Sequence, residues 1–262
     1  MKNFIVQLSI LLSLSLAITS CKDNKNEDPA PVATGTIHLE FDHMFDGEEF
    51  VLDNSKYYFK TAYGDSIGIS TFRYYISNIK FKKADGTTFT EQESYHLIDL
   101  DPSNLTTGID VSGIPVGDYV TVEFMVGVDS TRNVSGAQSG ALATTNGMFW
   151  SWNSGYIFLK CEGNYKTEDE VTSGSFVYHV GGFSGTNKAL QTITLNVPSP
   201  AYARVANNAV SKMHLHINVE QLFNDPTEIN INTMSTIHMP GANAKTLSEN
   251  YKGMFELDHV HN

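Results

Sequence analysis

Cysteine is scarce in this sequence: Cys21 and Cys161 are the only two in 262 residues. No framework of disulfides can hold such a chain, so a hydrophobic core must. Positive charge is also in short supply. Lys and Arg number 17 against 29 Asp and Glu, a net charge of −12. That balance excludes nucleic acid and a polybasic membrane contact as partners. Tryptophan occurs twice, at Trp150 and Trp152. The longest apolar run, from Phe4 to Ile18, is diluted by serines and too short to span a bilayer. The sequence has no G-x-S-x-G, H-E-x-x-H, P-loop or G-x-G-x-x-G motif. The signatures of common hydrolases, zinc proteases and nucleotide-binding enzymes are therefore absent. Asp129-Ser130 has no local support for a triad, and Asp99/Asp101 lack the glycine and terminal glutamate of a calcium loop. We read the chain as a non-enzyme.

The N-terminus has the pattern of an export signal. Lys2 precedes the apolar run, and the run ends at Ala17-Ile18-Thr19-Ser20-Cys21. Small residues directly before a cysteine resemble the lipobox of a bacterial lipoprotein. This implies a signal peptide over residues 1–20, cleavage before Cys21 and lipidation of Cys21. Several acyl chains would hold the protein on a membrane. Residues 21–34 are polar and charged and contain proline, which reads as a disordered tether. An acidic tether after a lipidated cysteine is similar to surface-exported lipoproteins of Bacteroidetes. The expected location is the outer membrane, with exposure at the cell surface.

Residues 35–262 read as one domain made almost wholly of strands. Ile37, Leu39 and Phe41 alternate with His38, Glu40 and Asp42, the period of a half-buried strand. Further strands are expected at 72–83, 95–100, 119–128, 156–162, 175–180, 190–197 and 213–219. Turn signals such as Asp85-Gly86, Gly181-Gly182 and Pro198 with Pro200 separate them. Helical spacing appears only at 219–224 and at 244–255, where Ala244, Leu247, Tyr251 and Phe255 recur. The fold class is all-β: an antiparallel β-sandwich with a short C-terminal helix. Residues 147–163 hold both tryptophans with Phe149, Tyr156 and Phe158. Aromatic rings at that density read as core, with a Trp facing a site as the other reading. Cys161, in phase with Ile157 and Leu159, reads as a small buried hydrophobe.

The clearest chemical bias is nine histidines against one remaining thiol. Imidazole is a common ligand of late transition metals. Two pairs are spaced His-x-His, at His214/His216 and His259/His261. On a strand such residues share one face, so each pair is a candidate metal site. Chance surface histidines are the plainer reading. His43 is in phase with Phe41, and His96 with Ile98 and Leu100, so both rings should be partly buried. A buried imidazole needs hydrogen-bond partners or a metal. His179 is out of phase with Tyr178; it is a further candidate metal ligand, or it could orient a loop.

Several segments together carry a family resemblance. YYISNIKF (74–81), YHLID (95–99), VEFMVGVDSTRN (122–133), GMFWSWNSGYIFLKCEG (147–163), FVYHVGGF (176–183) and NYKGMFELDHVHN (250–262) resemble the MbnP-like copper-binding family. Its members include copper-repressible and methanobactin-associated proteins of methane oxidisers. The resemblance implies bound copper, two histidine ligands and an oxidised tryptophan beside the metal. His43 and His96 are the matching histidines. Trp150 or Trp152 would be the near-metal aromatic, and Met44 could complete a site at His43. The implied function is a lipid-anchored copper protein of the cell envelope. It would store copper or hand it to an outer-membrane transporter or partner lipoprotein. A surface binding or structural module without functional metal is the alternative.

Overall fold

Residues 34–45 keep their period of two through twelve positions, and this strand sets the frame of the molecule. Every second residue from Gly35 to Phe45 is buried, and the intervening ones are partly exposed. The computed structural model describes residues 32–53, 56–59, 61–136, 138–150, 155–169 and 171–262. The signal peptide, Cys21, all but the last residues of the tether, and Trp152 lie outside the described residues. Ala33–Asn262 forms one unit by its contacts.

In chain order the strands are β1 (Thr34–Phe45), β2 (Glu48–Glu49), β3 (Tyr58–Phe59), β4 (Ser66–Lys83), β5 (Thr88–Thr90), β6 (Tyr95–Asp99), β7 (Gly108–Pro115) and β8 (Gly117–Val126). A single helical turn, α1 (Ser130–Asn133), follows. Then come β9 (Phe149–Trp150), β10 (Gly155–Tyr156), β11 (Leu159–Lys166), β12 (Ser173–Val180), β13 (Gln191–Asn196), β14 (Ala203–Val205) and β15 (Val210–Asn218). The chain ends with α2 (Gln221–Asn224), β16 (Thr236–Ile237), α3 (Ala242–Lys252) and β17 (Phe255–His261).

These strands build two large sheets. The first has the order β17-β15-β1-β2, with β7 also on β1. The second has the order β13-β8-β4-β11-β12-β16, with β14 on β8 and β3, β5 and β6 on β4. The expected β-sandwich is what the chain forms. Its core is aromatic: Phe41 of β1 meets Tyr74 of β4 and Phe124 of β8, and Phe255 of β17 meets both of those rings edge-on. Such edge-to-face contacts join the sheets with geometry as well as buried area. Close strand approach needs glycine at Gly163, where a Cβ would stand 2.0 Å from the carbonyl oxygen of Gly68.

Three details depart from expectation. Two pairings, β1 with β15 and β12 with β16, are parallel. The first joins the opening strand to one near the end of the chain, so the long intervening connection permits parallel alignment. The strand expected at 156–162 is divided, because Gly155–Tyr156 belongs to a two-stranded ribbon with β9 and β11 begins at Leu159. The last helix stops at Lys252, and Phe255 belongs to β17. Ala244, Leu247 and Tyr251 are buried as the helical spacing predicts. Asn250 anchors α3 by donating to the carbonyls of Leu222 and Thr227 and accepting from the amide of Thr227. No helix among the described residues is long and apolar enough to cross a membrane.

Candidate metal centre

The outer face of the first sheet carries its polar chemistry. β15 buries Met213, Leu215 and Ile217 inward and leaves Lys212, His214 and His216 on the other side. Its antiparallel partner β17 buries Phe255 and Leu257. Regular alternation would then turn His259 inward. A β-bulge opposite His214 and Leu215 prevents this. The extra residue resets the phase, as bulges do. Asp258 and His259 are both exposed, and so is His261, while Val260 is partly buried.

The consequence is a cluster of three imidazoles. His214, His259 and His261 each offer a ring nitrogen within 4.8 Å of the others. His214 and His259 face each other across the two strands, with ring centroids 4.4 Å apart and planes inclined by 7°. His261 stands perpendicular to both rings. Two carboxylates fix the orientation. Nδ1 of His214 is 2.8 Å from Asp42 Oδ2, and Nδ1 of His259 is 2.6 Å from Asp258 Oδ2. A carboxylate accepts, so each Nδ1 carries the proton and each Nε2 presents a lone pair. Nε2 of His259 lies 3.0 Å from Nε2 of His261. With His259 accepting, the proton on that contact belongs to His261. The hydrogen bond to His259 holds the Asp258 carboxyl below its usual range.

This donor set fits a late transition metal. Three neutral imidazoles suit copper or zinc, and carboxylates on the distal ring nitrogens are the usual outer support of metal-binding histidines. His214 would offer Nε2, as would His259. His261 would join them by moving its proton to Nδ1.

The other candidate histidines are engaged separately. His43 is buried, and its Nε2 lies 2.9 Å from the hydroxyl of Tyr74. Burial lowers its pKa to about 4, against a smaller opposing effect of the Phe41 backbone. It lines a cavity of about 470 Å³ with Met44, Phe50, Leu100 and Leu105. His96 pairs with Glu91 at 2.9 Å and lines a different cavity, of about 290 Å³, with Asn104 and Gly108. Among the described residues, His43 and His96 line different cavities and bond to different partners. His179 is 2.6 Å from Glu162 on the outer face of the second sheet. Burial lowers its pKa, with Glu162 opposing. His216 faces outward with His214, its Nε2 3.5 Å from Asp258. The two His-x-His pairs thus meet through His214, His259 and His261.

Trp150 is buried at β9, its ring against Gly181. Cys161 is fully buried. Asp99 and Asp101 both turn onto Arg73, at 2.9 and 3.2 Å. Asp129 caps α1 and accepts from Tyr95. Those carboxylates serve structure. The sequence reading did not single out Asp42 and Asp258, although both lie within two residues of a histidine.

Comparison with known proteins gives one family. The model of the MbnP family matches residues 34–240. Among solved structures, MbnP from Methylosinus trichosporium is similar, at 17% identity over 80% of this chain and 83% of that one, with a TM-score of 0.48. No curated protein matches. His214 falls within the matched segment, and His259 and His261 lie beyond it.

Proposed function

The chain belongs to the MbnP family, and from that premise we propose that it is a copper-binding protein of the cell envelope. A lipid at Cys21 would anchor it to the outer membrane, and it would store copper or pass it on rather than catalyse a reaction. The observation that carries the reading is the meeting of His214, His259 and His261 on one sheet face, with Asp42 and Asp258 behind two of the rings. Three imidazoles supply enough nitrogen ligands to hold copper and leave room for a further ligand. Exposure of His259 and His261 favours exchange with an outside partner, such as a transporter or a second lipoprotein, over permanent sequestration.

The test is metal retention. Purified protein is loaded with copper, dialysed against buffer and assayed for bound metal. One tightly held equivalent is expected in the wild type, and none in a His214→Ala/His259→Ala double variant. Failure of the folded wild type to retain copper would leave the non-metal surface module as the better reading. Retention unchanged in the double variant but lost on His43→Ala or His96→Ala would move the copper to the sites matched by family resemblance.

A further inference from the structure

One edge of β1 is left uncovered for a short stretch. The pairing with β7 ends at Glu40, and β2 pairs only Met44 and Phe45. Between them the amide of Phe41 donates to Thr107 and the carbonyl of His43 accepts from Phe50. No strand among the described residues fills the gap, and the cavity of about 470 Å³ lies there. Its walls are apolar. Phe50 and Leu52 come from the segment after β2, and Leu100 and Leu105 from the connection between β6 and β7. Phe50 and Leu100 are buried, whereas Val51 and Leu105 are 47% and 61% exposed, so the mouth is apolar too. The charged groups are all of one sign. Glu40, Asp42 and Glu49 line the cavity, and among the described residues no Lys or Arg does. Glu40 is paired with Lys212 and Asp42 with His214. Glu49 is exposed, and its carboxylate has no hydrogen-bond or ion-pair partner among the described residues. His43 adds no positive charge at pH 7, because burial lowers its pKa to about 4.

We propose that this cavity is a binding site for a small organic cation, an ammonium group carried on a compact apolar body. The volume lies within the range of about 300–1,000 Å³ typical of small-molecule pockets, and apolar walls with a few polar groups are their usual composition. The apolar body displaces water from Phe50, Leu52, Leu100 and Leu105, which is the main gain on binding. The ammonium stays at the rim beside Glu49, where it keeps part of its hydration and avoids the cost of a buried charge. A neutral ligand of the same shape gains the apolar contact but leaves Glu49 unpaired. An anion meets three carboxylates and no base, so the local field selects against it. The cavity adjoins the three-imidazole cluster only through Asp42, whose carboxylate accepts from His214. Metal is not part of it, and the proposal stands or falls apart from the copper reading.

Three probes with one body and different charge test the proposal: phenethylammonium, 2-phenylethanol and 3-phenylpropionate. Each is titrated into metal-free protein, with amide NMR shifts reading the place and calorimetry the affinity. Phenethylammonium should bind saturably at one equivalent, with shifts centred on residues 41–43, 49–52 and 100–107. The alcohol should bind about five-fold more weakly, and the acid more weakly still. Glu49→Gln should narrow the gap between amine and alcohol, and Leu105→Ser should weaken both. Glu49 and Leu105 are exposed, so neither variant should change the melting temperature. Equal binding of the three probes would overturn the assignment to a cation. Shifts centred elsewhere, binding unchanged in both variants, or no saturable binding of phenethylammonium would overturn the site. Copper plays no part in the assay, so none of these results bears on the copper reading.

Discussion

His214 and His259 stack ring on ring, centroids 4.4 Å apart and planes within 7° of parallel, across adjacent strands of one sheet. Each ring is held from behind by a different carboxylate. The carboxylates hold each ring by Nδ1 and leave Nε2 to bind metal, but parallel rings direct their lone pairs along parallel planes, so one ring must turn about its hydrogen bond before both share an ion. The arrangement also makes the carboxylates separable from the ligands by mutation.

Asp42→Asn and Asp258→Asn should each weaken copper binding about 10- to 100-fold without changing the number of tight equivalents. An amide offers His214 or His259 a neutral acceptor or a wrongly placed donor, so the ring loses its preferred tautomer. Competition with a chelator of known affinity measures the change. Both aspartates are well exposed, so folding stability should move by less than about 1 kcal/mol. A variant with unchanged affinity would show that its carboxylate has no part in the site.

His43 gives the fold a pH dependence of known sign. Its folded pKa is lowered to about 4 from an ordinary 6.5, chiefly by burial. The unfolded chain therefore binds this proton where the folded one does not. The stabilisation is fully present above about pH 6.5, falls as the pH drops from there towards 4, and is lost below that. The full amount is about 3 kcal/mol. Urea unfolding from pH 7 to pH 4 should show the loss. His43→Gln retains a partner for the Tyr74 hydroxyl but does not titrate, and its curve should be flatter by that amount.

The fold was legible because its signal is local. Alternation from Ile37 to Phe41 reports a strand with one buried face, and the aromatic density around Trp150 reports core. The histidine pairs were legible as pairs, for His-x-His on a strand fixes sidedness. Their convergence was not, because it depends on β15 lying beside β17, a pairing set by the whole sheet. One local sign of the site was present. In β17 the apolar residues fall at 255, 257 and 260, and the step of three after a step of two marks the bulge that turns His259 outward. By contrast, the phase of His43 with Phe41 correctly reported burial. Burial alone does not separate a ligand from a histidine satisfied by a tyrosine.

Asp99 and Asp101 distinguish a buried ion pair from an exposed one on the same arginine. Asp99 has 1% side-chain exposure, lies 2.9 Å from Arg73, and also accepts from Asn104. Asp101 has 42% exposure at 3.2 Å. Asp99→Ala leaves the guanidinium with Asp101 and the Asn146 carbonyl but without its buried carboxylate, and should cost about 3 kcal/mol or more. Asp101→Ala should cost about 1 kcal/mol or less. Denaturant midpoints give both values, and equal costs would contradict the burial argument.

Copper on His214, His259 and His261 would join β15 to β17, the strand at the edge of the first sheet. Unfolding the edge would then require releasing the metal. A ligand that binds only the native state adds about 2.7 kcal/mol when its free concentration is 100 times the dissociation constant. For a domain of this size each kcal/mol is worth about 2–4 °C, so the melting temperature should rise by about 5–10 °C. His261→Ala removes one ligand and leaves the stacked pair, so its shift at the same copper concentration should be smaller but not zero. His214→Ala/His259→Ala should show none. Amide exchange adds the spatial reading: copper should slow exchange along β15 and β17 more than in β12 of the other sheet. A uniform slowing across both sheets, or none, would mean that the metal does not bridge these two strands.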